Sequence, residues 1–121
     1  MTGSETEQAA RLYLEAQGVR IREQNYRSRR AEVDLIGEKD GTIIFFEVKY
    51  RRSGVSGSPE SAVTPAKQKR ICGCALRYLY EKGLGTDQAV RFDVISMRKE
   101  GIRWIKDAFP FTFSGRNSRV W

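Results

Sequence analysis

The stretch Thr42-Ile43-Ile44-Phe45-Phe46-Glu47-Val48-Lys49-Tyr50 decides the fold. It is dominated by β-branched and aromatic residues, which favour a strand. Its near-continuous apolar run predicts a central strand covered on both faces. Alternation puts Ile43, Phe45, Glu47 and Lys49 on one face. Glu47 and Lys49 are then neighbours, about 6.5–7 Å apart along the backbone. Charge in such a strand is costly unless it is paired or coordinates a metal.

Toward the N-terminus, Lys39-Asp40-Gly41 reads as a hairpin turn and residues 32–37 (EVDLIG) as the partner strand. Strict alternation places Val33 and Leu35 on one face and Asp34 and Ile36 on the other. Counting back from the turn sets Asp34 opposite residues 46–48, beside Glu47. Asp34 and Glu47 can ligate Mg²⁺ (or Mn²⁺), which takes oxygen ligands and keeps several waters. The backbone carbonyl of Val48 can add a ligand. Such an ion acidifies a water and stabilises charge on a phosphodiester. Lys49 would orient the attacking water and help neutralise the phosphate. The bland alternative for Glu47 and Lys49 is a solvent-exposed ion pair, contributing roughly 0–1 kcal/mol.

Further out, residues 5–17 (ETEQAARLYLEAQ) have helical spacing at Ala10, Tyr13, Leu14 and Ala16, with Gly18 as a stop. Ser4 reads as the N-cap and Glu7 as its capping-box partner. Residues 19–26 predict an edge or half-exposed strand. Residues 51–64, rich in Gly and Ser, predict a flexible loop leaving the central strand. Residues 65–82 predict a helix with Pro65 in its first turn. Its sheet-facing stripe is Ile71, Cys74, Ala75, Tyr78 and Leu79. Residues 89–97 and 102–106 predict two more strands, and 110–121 a loosely held tail. The order α-β-β-β-α-β-β, without repeats or linkers, predicts one α/β (α+β) domain over residues 1–121. Its centre is a mixed β-sheet flanked by helices.

Composition narrows the chemistry. With no histidine among 121 residues, Ser-His-Asp triads and histidine-ligated zinc are excluded. Cys72 and Cys74 are too few for a zinc site and read as buried, reduced thiols pointing in different directions. A net charge of +7 points to a polyanion partner. No apolar run is long enough to span a membrane. The polar, acidic N-terminus is no secretory signal, so a cytoplasmic location is expected.

The Asp34 and Glu47-Val48-Lys49 pattern resembles the PD-(D/E)xK nuclease superfamily, with an Asp on one strand and an acidic-x-Lys on the next. The whole chain resembles the YraN-type family of small bacterial proteins, which are similar to archaeal Holliday junction resolvases. The matching segments include Glu7 with Ala10–Leu14, Glu32–Ile36, Phe46–Arg51, Gly57–Pro59 with Ala62-Val63, Lys67–Ile71 and Arg91–Ile95. Thr6 and Ala31 stand where that family usually has Gly, and local backbone adjustment is expected there.

The resemblance implies a restriction-endonuclease-like fold and a metal-dependent endonuclease of structured or branched DNA. It also implies a homodimer. It extends the metal site to Glu7, for which the residues alone offer the capping role, and adds Gln68 as a catalytic residue and Lys67 at the site. Lys67 otherwise reads as a lysine lying along the surface. Arg29, Arg30, Arg51, Arg52, Lys67, Lys69 and Arg70 are the candidate nucleic-acid contacts, suited to phosphates rather than bases. The alternative is a non-catalytic nucleic-acid-binding protein that keeps the fold. Glu32 and Asp93 read as solvated or supporting acids outside the site, and Phe46 and Tyr50 as core.

Overall fold

The computed structural model describes residues 2–51 and 63–112. The elements are α1 (Gly3–Ala16), β1 (Arg20–Arg27), β2 (Glu32–Lys39), β3 (Thr42–Tyr50), α2 (Pro65–Glu81), β4 (Val90–Arg98) and β5 (Gly101–Ile105). This is the order expected from the sequence. The strands form one five-stranded mixed sheet in the order β1-β2-β3-β4-β5. β3 and β4 run parallel and the other neighbours antiparallel. A parallel pair needs a crossover, and α2 supplies it.

The helices cover opposite faces of the sheet. Ile71, Cys74, Ala75, Tyr78 and Leu79 of α2 pack on Ile36, Ile43, Phe45, Phe92 and Val94. Ala10 and Leu14 of α1 pack on Leu35, Ile44, Phe46, Ile95 and Met97. β3 therefore has core on both sides, and Ile43 to Glu47 are buried without a break. The β2–β3 turn places Asp40 at φ 52° and Gly41 at φ 80°, as a tight hairpin requires.

Several expectations need correction. The N-cap of α1 is Thr2, not Ser4: its hydroxyl accepts from Glu5 N–H, and Thr6 Oγ1 donates back to Thr2 O. The helix starts earlier than its apolar spacing shows because polar residues fill its first turn. Glu7 is thereby released from the capping role. Val33 packs with Ile36 on the α2 side, while Leu35 packs on the α1 side. The face switches at Asp34, the residue next to the last β2–β3 pair, Leu35–Phe46.

The tail is also more ordered at its start than its composition suggests. Phe109 stacks on Phe92 at 5.1 Å, and Phe111 meets the same ring edge-on at 5.2 Å. Thr112 N–H donates to Cys72 Sγ at 3.5 Å. Residues 113–121 of that tail, and 52–62 of the loop read as flexible, lie outside the described residues. The loop's last residue before the helix cap, Val63, is buried in the α2-side core. Both cysteines are buried and free. Cys72 faces Pro110 O and Cys74 faces Tyr26 O and Ala31 O, in different directions as expected.

Gly37 marks the tightest approach. A Cβ there would lie 2.5 Å from Val19 Cγ1 and 3.2 Å from Phe46 Cε2. Both neighbours are buried and stiff, so neither can yield cheaply. Gly37→Ala is expected to destabilise the protein by about 1–3 kcal/mol in a urea melt. Val19→Ala in the same chain should recover part of that loss, and strict additivity of the two changes would refute the clash.

Candidate active site at the parting of two strands

Where the β2–β3 ladder stops, a side chain takes over. Val48 N–H donates to Asp34 Oδ2 at 2.7 Å. Asp34 thus lies between the strands at the carboxyl end of β3, next to the segment that holds Glu47. Both Glu47 and Lys49 belong to the β3 face that α2 covers, as alternation requires. The Glu47 side chain is only 7% exposed, which rules out the reading of a solvent-exposed pair. Two ammonium groups converge on one of its oxygens: Lys67 Nζ at 2.7 Å and Lys49 Nζ at 3.2 Å from Oε1.

Lys67 reaches this point because Thr64 caps α2 and Pro65 starts it, which fixes the first turn beside the end of β3. The Thr64 hydroxyl accepts from Lys67 N–H at 3.2 Å. Gln68 does not turn to the carboxylates. Its amide donates to Val63 O at 2.9 Å and ties the chain leading into α2 to the helix. Glu7, on α1, is half-buried, and its charge is felt by Asp34.

Burial pushes Asp34 up from 3.8 to about 7, and the charge of Glu47 adds to the rise. The Val48 hydrogen bond opposes it, while Glu7 and Glu32 contribute further in the upward direction. For Lys67, burial acts downward. Its bond to Glu47 and the charges of Glu47 and Asp34 outweigh that and hold the ammonium above its ordinary value.

The remaining candidates lie around this centre. Arg29 and Arg30 are exposed in the β1–β2 turn, at the same end of the sheet as Asp34. Lys69 and Arg70 are exposed on α2. Arg51 is half-buried and its N–H donates to Met97 O at 2.8 Å. Arg52 lies outside the described residues. Among the described residues no three acidic or thiol side chains form a ready-made metal cluster.

Three sequence readings change here. Tyr50 is not core but 44% exposed, one residue beyond Lys49, whereas Phe46 is buried. Asp93 is not solvated: it is fully buried and accepts from Arg91, Trp104 Nε1 and Asp107 N–H. Glu32 pairs with Arg27 at 2.7 Å. The signal for Asp93 was present in Arg91-x-Asp93, whose alternate positions share a strand face.

These features define an α+β domain with an acid–lysine cluster at the carboxyl end of its central strand. The chain belongs to the uncharacterised protein family UPF0102, whose model matches residues 6–97. A relative from Syntrophus aciditrophicus is 49% identical over 116 residues, covering 93% of this chain and 91% of its own. One from Chlorobium phaeobacteroides is 49% identical over 108 residues, 84% of each chain. One from Nitrosococcus oceani is 40% identical over 111 residues, 88% of this chain and 90% of its own. Each is a UPF0102 protein. No helix among the described residues is long and apolar enough to cross a membrane.

The site makes a pH-dependent contribution of definite sign. Between 3.8 and about 7 the folded protein holds a proton on Asp34 that the unfolded chain releases. Stability therefore falls as pH rises through that window and is level above it. Asp34→Asn keeps an acceptor for Val48 N–H and removes the charge. In metal-free protein at pH 8 it should gain about 1–2 kcal/mol, less than the full shift because solvent screens the site. The gain should vanish near pH 4 in thermal melts. A variant no more stable at pH 8 would contradict this account of Asp34.

Proposed function

We propose that this protein is a metal-dependent endonuclease that hydrolyses phosphodiester bonds in structured or branched DNA. The observation that carries the reading is the half-buried meeting of Asp34 and Glu47 with Lys49 and Lys67. Carboxylate oxygens are the donors that Mg²⁺ or Mn²⁺ prefers, and Mg²⁺ is commonly held by one or two carboxylates together with substrate phosphate and water. The upward shift of Asp34 comes first from burial and then from the negative charge of Glu47, and a cation between the two carboxylates would offset the second of these. Asp34, Glu47 and the Val48 carbonyl would hold the ion, with Glu7 adding negative charge from α1. When bound, it would supply charge stabilisation at the scissile phosphate and a more acidic water.

The chain's own groups do the rest. Lys49 stands on β3 next to Glu47, where its ammonium can bind a non-bridging phosphate oxygen. Gln68 is a positioning residue in this reading, because it holds the chain at the start of α2 through Val63 O. Arg29, Arg30, Arg51, Lys69 and Arg70, with Arg52, would contact backbone phosphates, giving binding that follows DNA shape rather than sequence.

One observation favours a second reading, a nucleic-acid-binding protein without turnover. Glu47 already has two ammonium partners, so its charge is compensated without a metal. Cleavage assays separate the two. The nuclease reading expects cutting of branched DNA with Mg²⁺ or Mn²⁺ that EDTA stops. Asp34→Ala, Glu47→Ala and Lys49→Ala should each abolish it in chains that still melt cooperatively. Salt-sensitive binding with no cutting in any metal would support the second reading, and cutting that survives Asp34→Ala and Glu47→Ala would defeat the first.

A further inference from the structure

We propose that Lys67 is an internal counter-ion that holds the cation position of this site and must withdraw from Glu47 before a divalent metal can bind. The inference rests on the metal-binding reading and adds a role for a residue outside the Asp34, Glu47-x-Lys49 pattern. Lys67 Nζ lies 2.7 Å from Glu47 Oε1, and Lys49 Nζ lies 3.2 Å from the same atom. A divalent ion bound to that oxygen would sit at about 2.1 Å, within a few ångströms of both ammonium groups. Their repulsion with the ion is strong in a partly desolvated site. Moving one of them away from that oxygen relieves the repulsion.

The two lysine side chains are about equally exposed, at 29% for Lys49 and 32% for Lys67, and what separates them is distance. Lys67 makes the closer contact with Glu47 Oε1, so it stands nearest to an ion bound there. It projects from the first turns of α2. Its four-carbon stem can carry the ammonium outward while the helix stays in place. Charge counting agrees. With the carboxylates of Asp34, Glu47 and Glu7 counted against the ammonium groups of Lys49 and Lys67, the cluster carries one net negative charge, and an added divalent ion would leave one net positive charge. Withdrawal of Lys67 lowers that excess, and a phosphodiester gives the displaced ammonium a new partner. Metal and DNA should therefore favour each other's binding. Lys67 thus belongs to the metal-free site as a plug and to the loaded site as a phosphate contact.

Calorimetric titration of the whole chain with MnCl₂ tests this. Lys67→Met keeps the stem and removes the charge, and it is expected to bind Mn²⁺ at least about tenfold more tightly than wild type. Lys82→Met, at the far end of α2 where Lys82 pairs with Glu23, should match wild type. Lys67→Arg keeps the charge and should bind no more tightly than wild type, which keeps the question open to test if Lys67→Met fails to fold. Equal or weaker binding by Lys67→Met, or tighter binding by Lys67→Arg, overturns the counter-ion while leaving the metal site standing. No Mn²⁺ binding by wild type or any variant overturns both.

Discussion

The hydrogen bond from Val48 N–H to Asp34 Oδ2 is the constraint on which the rest of the site depends. Up to Leu35–Phe46, β2 and β3 satisfy each other's backbones. At the next donor a carboxylate takes the place of a carbonyl. A buried backbone N–H cannot go unpaired cheaply, so the side chain that replaces the ladder is held as firmly as the ladder itself. The strands part around it, β2 changes which residues it shows to each face, and Val33 drops under α2. Asp34 is thus both the last rung of the hairpin and the first group of the site.

The contrast with Asp93 shows what environment does to one side-chain type. Asp93 is fully buried, yet Arg91, Trp104 and the Asp107 N–H surround its oxygens with donors. That carboxylate fastens β4 to β5 and the turn beyond it. Asp34 has the Val48 N–H, lies close enough to Glu47 to feel its charge, and is pushed up to about 7. The first arrangement is charge made safe by hydrogen bonds. The second leaves electrostatic demand that a cation can answer, and the lysines on Glu47 answer it only in part.

The sequence carried the element order, the central place of β3 and the sheet-facing stripe of α2, because each rests on long, unambiguous periodicity. It also brought Asp34 beside Glu47, since a two-residue turn leaves little freedom of register. What it missed are places where one local interaction overrides a period. The face switch at Asp34 comes from a side-chain bond to the neighbouring strand, invisible to alternation. Thr2 won the cap over Ser4 because both fit the same pattern and polar first turns carry no hydrophobic mark. Tyr50 looked like core because it follows apolar residues, yet it lies where the strand runs out of partners to bury it. The packing of Phe109 and Phe111 on Phe92 was hidden by turn-forming neighbours and basic residues downstream.

The arrival of Lys67 through the crossover helix also bears on how the molecule is made. The turns joining β1, β2 and β3 are short, so these strands can pair as soon as they leave the ribosome, with low cost in chain closure. Asp34 and Glu47 can then come together before α2 has left the ribosome. In that nascent sheet the two acids repel each other with Lys49 alone to offset them. The parallel joint with β4 must wait for the whole crossover, and its formation brings in the Lys67 ammonium. The charge balance of the cluster is therefore completed only when the crossover helix packs on the sheet.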